Sequence, residues 1–206
     1  MFFSGGEGII IGMDFRQRLF QYRSYTPIPF LIAMLVFAVP TLASLSGGLI
    51  IVAAGEMIRV WGVSIAGSET RTTGPVGGTY LITKGPFAYV RNPLYLGNIL
   101  IYFGAGIMAN TPVLALIALI YFFWQYSLIV SLEEEYLITT FADEYRDYCR
   151  TVPRFFPTFS KYTTGVHEQP DLDWKRGVVS EKRTLQAIAI LTLVLLSVWY
   201  VRRLMQ

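Results

Sequence analysis

Five apolar runs divide the chain, at 27–45, 48–66, 93–109, 112–131 and 185–201. Each approaches or reaches the roughly 20 residues with which an α-helix crosses a hydrocarbon core about 30 Å thick. In lipid every backbone amide must be satisfied internally, so runs of this length are expected to be helical. Charged residues make up 15% of the chain and its mean hydropathy is +0.47. A soluble domain carries about 25% charged residues. The 206 residues are therefore expected to be all-α, a polytopic transmembrane helical bundle of about five spans forming one membrane domain over 1–206.

The links between the runs differ in kind. SLSGG at 44–48 and ANTP at 109–112 are short and uncharged, so the first two runs are expected to form one hairpin and the next two another. The longer links carry the charge, with Arg16, Arg18 and Arg23 before the first run and Arg71, Lys84 and Arg91 between the second and third. With an odd number of spans these links share one face, which the positive-inside rule makes cytoplasmic. Arg202 and Arg203 run against that rule. Leu137, Phe141, Tyr145 and Tyr148 recur at helical spacing, so an amphipathic helix is expected to continue from the fourth span into the cytoplasmic interface. Pro153 and Pro157 end it. Residues 158–184 read as a polar linker and 185–203 as the final transmembrane helix.

Several function classes drop out early. One cysteine, Cys149, and one histidine, His167, do not supply a Cys/His zinc site, and no metal is expected. Cys149 reads as a small packing residue and His167 as a solvated loop residue. A net charge of +3 without a dense basic patch argues against nucleic acid as a partner. The first residues lack the positive and long apolar regions of a signal peptide. GEGIIIG at 6–12 has Ile11 where a dinucleotide loop needs its third glycine, and no strand precedes it.

The chemistry concentrates at the mouth of the third run, in KGPFAYVRNPLYLGN at 84–98. Asn92 before Pro93 is a helix-start signal, an N-cap side chain followed by proline at the first helical position. The free N–H groups and dipole of such a helix start favour an anion, and Arg91 adds a permanent cation. Glu133, Glu134 and Glu135 close the fourth run. They point about 100° apart on a helix, so one or two of them can face the bundle. The ANTP hairpin brings both clusters to one side. Together they suit a ligand with a carboxylate, an ammonium and a sulfonium, as S-adenosylmethionine (SAM) has, with Tyr89, Tyr95 and Tyr136 offering aromatic faces. A structural reading stands beside this one: a capped helix, a snorkelling arginine and a solvated acidic run.

GPFAYVRNPLYLGNILIYFGAGIMAN, followed by EEEYLITTFADEYRDYCRTVPRFFP, resembles the isoprenylcysteine carboxyl methyltransferase and phospholipid methyltransferase families over residues 80–157. Those families share an R-[HN]-P-x-Y motif at a helix start, then a double glutamate, then F-G-x-E-Y-x-x-Y. The resemblance implies a SAM-dependent integral membrane methyltransferase whose cofactor-binding half is 80–157. It implies that Arg91, Asn92, Pro93 and Tyr95 contact the cofactor together with Glu133 or Glu134; Tyr89, Leu94 and Gly97 complete the expected cofactor set. Catalytic roles are expected at Arg154, Glu134 and Tyr95, with Arg154 holding an anionic part of SAM or acceptor. Asn92 stands where the isoprenylcysteine enzymes have histidine, and Ala142 replaces a glycine, a mild change. The resemblance also implies the cytoplasmic membrane of a bacterium or archaeon, a lipid-like or prenylated acceptor reached from the bilayer, and a site facing the cytoplasm. Carboxyl O-methylation and phospholipid N-methylation both stay open, as does homo-oligomerisation.

Glu56 and Arg59 lie three apart in the second run and can pair, while ionisable groups inside a membrane helix are functional by default. They are expected on the acceptor side with Glu69 and Arg71, which sit on the loop before the motif; structural pairing and a solvated loop are the plainer readings. Gly97, Gly104 and Gly106 are expected to allow close helix packing. The rival reaction class is an NADPH-dependent membrane reductase, since sterol and steroid reductases carry a similar motif. In that motif an acid stands at the position of Asn98.

Overall fold

The computed structural model describes residues 14–67, 81–164 and 169–205, and every regular element among them is helical. The chain runs through α1 (Phe15–Tyr22), α2 (Pro27–Val36), α3 (Leu42–Ala66), a 3-10 turn (Gly85–Ala88), α4 (Pro93–Met108), α5 (Pro112–Thr151), α6 (Trp174–Ser180) and α7 (Lys182–Leu204). Helices α3, α5 and α7 are long and apolar enough to cross a membrane; α2 and α4 are shorter apolar helices. The expected helical bundle is thus present, and the chain is an integral membrane protein.

One boundary differs from expectation. The run 27–45 is not a single helix: α2 ends at Val36 and α3 starts at Leu42. Thr41 caps α3 by accepting from the Ser44 backbone N–H, and Ser44 returns a bond to the Thr41 N–H, a reciprocal cap that fixes a helix start. SLSGG therefore lies inside α3, and the turn falls at 37–41. That turn is tied to the α4–α5 turn, since the Val39 N–H donates to the Ala109 carbonyl at 3.0 Å and Asn110 Nδ2 to the Val39 carbonyl at 2.9 Å.

Helices α3 and α4 form the tightest pair, because two glycines in each meet. A Cβ at Gly48 would lie 2.6 Å from the Gly104 carbonyl oxygen, and one at Gly104 2.9 Å from that of Gly48. Gly55 and Gly97 repeat the relation at 2.7 Å each way. Seven residues separate the glycines in each helix, so the two antiparallel backbones touch every second turn.

Helix α5 carries the fourth span into the expected amphipathic extension, but it breaks at Ala142, where φ is 42° and ψ is −115°. A side chain in this region costs about 1–2 kcal/mol. Alanine in place of the glycine found in the families this chain resembles is therefore more than a mild change. Ala142→Gly is expected to raise stability by about 1 kcal/mol, the relief exceeding the entropy that glycine adds to the unfolded chain. Thermal unfolding in detergent reads this; a lowered melting temperature would contradict a positive φ at 142. Residues 158–184 are not only a linker, since α6 lies within them and seats Gly177 against Ser64 of α3.

Candidate functional site

The site forms where the start of α4, the end of the membrane part of α5 and the tail after α5 converge. Asn92 occupies the N-cap position of α4, but its side chain does not cap the helix. Instead Asn92 Nδ2 donates to the Arg154 carbonyl at 3.1 Å. The first-turn N–H groups of α4 thus keep their outward-facing donors without a side-chain cap.

The three glutamates separate as their helical spacing requires. Glu133 accepts from Tyr95 Oη at 2.6 Å, Glu134 faces Arg91 and Arg154, and Glu135 turns out to Arg16 of α1 at 2.5 Å. Two of the three face the bundle. Glu134 is 8% exposed. One of its oxygens lies 3.0 Å from Arg91 Nη2 and 3.2 Å from Arg154 Nε, while the other pairs with Arg154 Nη2. The triad carries one excess positive charge, which the helix start reinforces.

Residues beyond the break at Ala142 build the third wall. The Arg91 N–H donates to the Pro153 carbonyl at 2.9 Å, and the Thr158 N–H to the Tyr89 carbonyl at 2.9 Å. Tyr148 Oη donates to the Phe87 carbonyl at 2.6 Å, and Arg91 Nη1 to the Cys149 carbonyl at 3.1 Å. These bonds fold the tail under the loop before α4, which is how Arg154 arrives beside Glu134.

The remaining expected residues fall as follows. Tyr89 lies beside Trp61 with ring centroids 6.4 Å apart, and Leu94 packs at Gly62. Pro93 and Gly97 are buried, and the room over Gly97 is filled by the stem of Arg59 and the Gly55 carbonyl, so close packing accounts for that glycine. Glu56 and Arg59 pair as expected, at 3.5 Å. Glu69 and Arg71, like His167, lie outside the described residues. Three contributors were not expected. Asn98 and Glu181 each meet Arg59 at 2.5 Å, and the Tyr126 ring lies tilted against Tyr95 with centroids 4.7 Å apart. Asn98 and Tyr126 sit at helical spacing from Tyr95 and Glu133 respectively, whereas nothing local marks Glu181.

The donor set fits SAM. Its carboxylate matches an arginine with a buried Nε that closes no hydrogen bond, Arg91, beside an uncapped helix start. Its cationic groups match the Glu133 carboxylate and the Tyr95 ring. Among the described residues no group of three or more His, Cys, Asp or Glu side chains is arranged to hold a metal ion.

Residues 43–144 match the family model for phospholipid methyltransferase. The chain is 29% identical over 116 residues to the cobalt-zinc-cadmium resistance protein CzcN of Cupriavidus metallidurans, covering 56% of this chain and 50% of that protein. It is 36% identical over 84 residues to the nickel-cobalt-cadmium resistance protein NccN of Alcaligenes xylosoxydans xylosoxydans, covering 41% and 39%. It is 32% identical over 77 residues to protein-S-isoprenylcysteine O-methyltransferase of Schizosaccharomyces pombe, covering 37% and 33%. The matched regions thus span half or less of these curated relatives. No solved structure matches the chain.

Proposed function

We infer, from a chain that belongs over residues 43–144 to the phospholipid methyltransferase family, that it is an integral membrane methyltransferase. It takes SAM from the cytoplasmic face and methylates a lipid-like or prenylated acceptor. The observation that carries this reading is the Arg91–Glu134–Arg154 triad at the uncapped start of α4, with Arg91 and Glu134 largely buried and the Tyr95–Glu133 pair beside them. A net positive cluster beside a carboxylate–phenol pair complements a zwitterionic amino acid that also carries a sulfonium.

When bound, SAM supplies a methyl group already activated towards displacement. The protein's work is then to position, orient and exclude water. Arg91 and the α4 N–H groups hold the carboxylate. Tyr95 and Glu133 receive the cationic end. Glu134 has its oxygens engaged by two guanidiniums, so it holds Arg91 and Arg154 in place. Arg154, 39% exposed, is the member of the triad open to an acceptor. A carboxylate acceptor loses no proton, whereas an amine must be neutral to attack, and Glu133 is the carboxylate placed to take that proton.

The test is transfer of radiolabelled methyl from SAM into a total membrane lipid extract by the detergent-purified protein. Label should enter the organic phase with wild type and fall to background with Arg91→Ala. Label released as methanol by mild base marks carboxyl methylation, and base-stable label marks N-methylation. No transfer with the folded wild-type protein would overturn the reading.

A further inference from the structure

A second buried ionic cluster lies one helical turn deeper than Tyr95. Arg59 of α3 reaches out in three directions. Its Nη2 meets Glu181, at the α6–α7 junction, at 2.5 Å; its Nη1 donates to Asn98 Oδ1 of α4 at 2.5 Å; and its Nε lies 3.5 Å from Glu56 one turn back on its own helix. The side chains of Arg59, Glu56 and Glu181 are 15%, 7% and 1% exposed. Thr184 Oγ1 donates to the same Glu181 oxygen at 2.8 Å, whereas neither Glu56 oxygen closes a hydrogen bond. The guanidinium therefore has a strong counter-ion at the α6–α7 junction and a weaker one, hardly used, on its own helix.

Asn98 passes the contact onward. The Tyr126 hydroxyl of α5 interacts electrostatically with the side chains of Asn98 and Tyr102. The Tyr126 ring packs against that of Tyr95 at an interplanar angle of 32°, and the Tyr95 hydroxyl donates to Glu133. One continuous polar and aromatic chain thus joins the start of α7 to the site through Arg59, Asn98, Tyr126 and Tyr95. We propose that Glu181, outside the segment 43–144, is a positioning residue for the site, acting through Arg59 and Asn98 on Tyr126 and Tyr95. The proposal rests on the site assigned above.

The physical reason is that a buried guanidinium must keep a counter-ion. Without the Glu181 carboxylate, Glu56 is the anion within reach among the described residues, so Arg59 draws back along α3 and releases Asn98. Tyr126 then loses a partner and its ring shifts against Tyr95. Because Arg59 stays paired, the bundle survives the change.

The full-length protein in detergent, carrying 3-fluorotyrosine at position 126, provides the test by fluorine NMR. Glu181→Ala and Asn98→Ala should each move the Tyr126 resonance, and the double variant should move it no further than Asn98→Ala does. Leu195→Ala, which loosens the one residue buried along α7, should leave it in place. S-adenosylhomocysteine affinity should fall about tenfold in Glu181→Ala and stay near wild type in Leu195→Ala. If Glu181→Ala fails to fold, Glu181→Gln keeps the shape and removes the charge, and it should move the resonance in the same direction. An unmoved resonance in the folded Glu181 variant, or an equal shift in Leu195→Ala, would overturn the proposal. Wild-type protein that binds no S-adenosylhomocysteine would sink the functional reading instead, and the fluorine shifts would still decide the coupling.

Discussion

Glu134→Gln is expected to destabilise the protein by about 3 kcal/mol and to weaken S-adenosylhomocysteine binding about tenfold or more. Glu134 lies between two arginines, and only 10% of its side chain is exposed. The amide keeps the shape but removes the charge, leaving Arg91, 12% exposed, as a buried cation without its anion. Arg154 can turn to solvent, which holds the loss to the lower end of the range for a broken buried pair. Glu135→Gln is the internal control. Its carboxylate is 61% exposed in the pair with Arg16, and solvent screens such a surface pair, so its loss should change little. Chemical denaturation and calorimetric titration of both variants read the contrast. Equal effects at 134 and 135 would mean that the triad does not shape the site.

Gly48→Val is expected to abolish assembly of the bundle. The added Cβ would meet the Met108 backbone N–H and the Gly104 carbonyl oxygen, and backbone in a helix cannot rotate aside as a flexible side chain does. Overpacking costs about 1–3 kcal/mol where neighbours can yield, and more is expected here because α3 and α4 must separate along their length. Gly47 is the matched control, since nothing lies within 4 Å of a Cβ there. Gly47→Ala should be neutral or stabilise by up to about 1 kcal/mol through helix propensity. Size-exclusion profiles and melting curves of the two variants separate register-specific packing from a general intolerance of change. A well-folded Gly48→Val protein would contradict the α3–α4 register.

That register also shows what a one-dimensional reading can reach. Gly97 and Gly104 were legible as packing residues, but their partners Gly48 and Gly55 were not, because pairing across an antiparallel helix pair depends on where the turns fall. The turn at 37–41 was hidden by a hydropathy run that continues through it. Pro40 and the Thr41–Ser44 reciprocal cap mark the break. The split of the three glutamates followed from helical geometry, and the structure realises it with a separate partner for each. Asn92 was placed correctly at the N-cap position, yet its amide serves the tail instead of the helix, and no local rule reports the return of Arg154 to that point. Glu181 was the least legible contributor. It lies 122 residues from Arg59, and a lone acid at the end of a polar stretch carries no sign of a buried cation waiting on another helix.

The reaction class follows from which adenosine-containing cofactor the start of α4 accepts. Detergent-purified wild-type protein, titrated calorimetrically with S-adenosylhomocysteine and in parallel with NADPH, tests this most directly. Saturable one-to-one binding of S-adenosylhomocysteine with no heat from NADPH is the predicted result. Binding of NADPH alone would contradict the account and move the chain to the reductases, whatever its family resemblance.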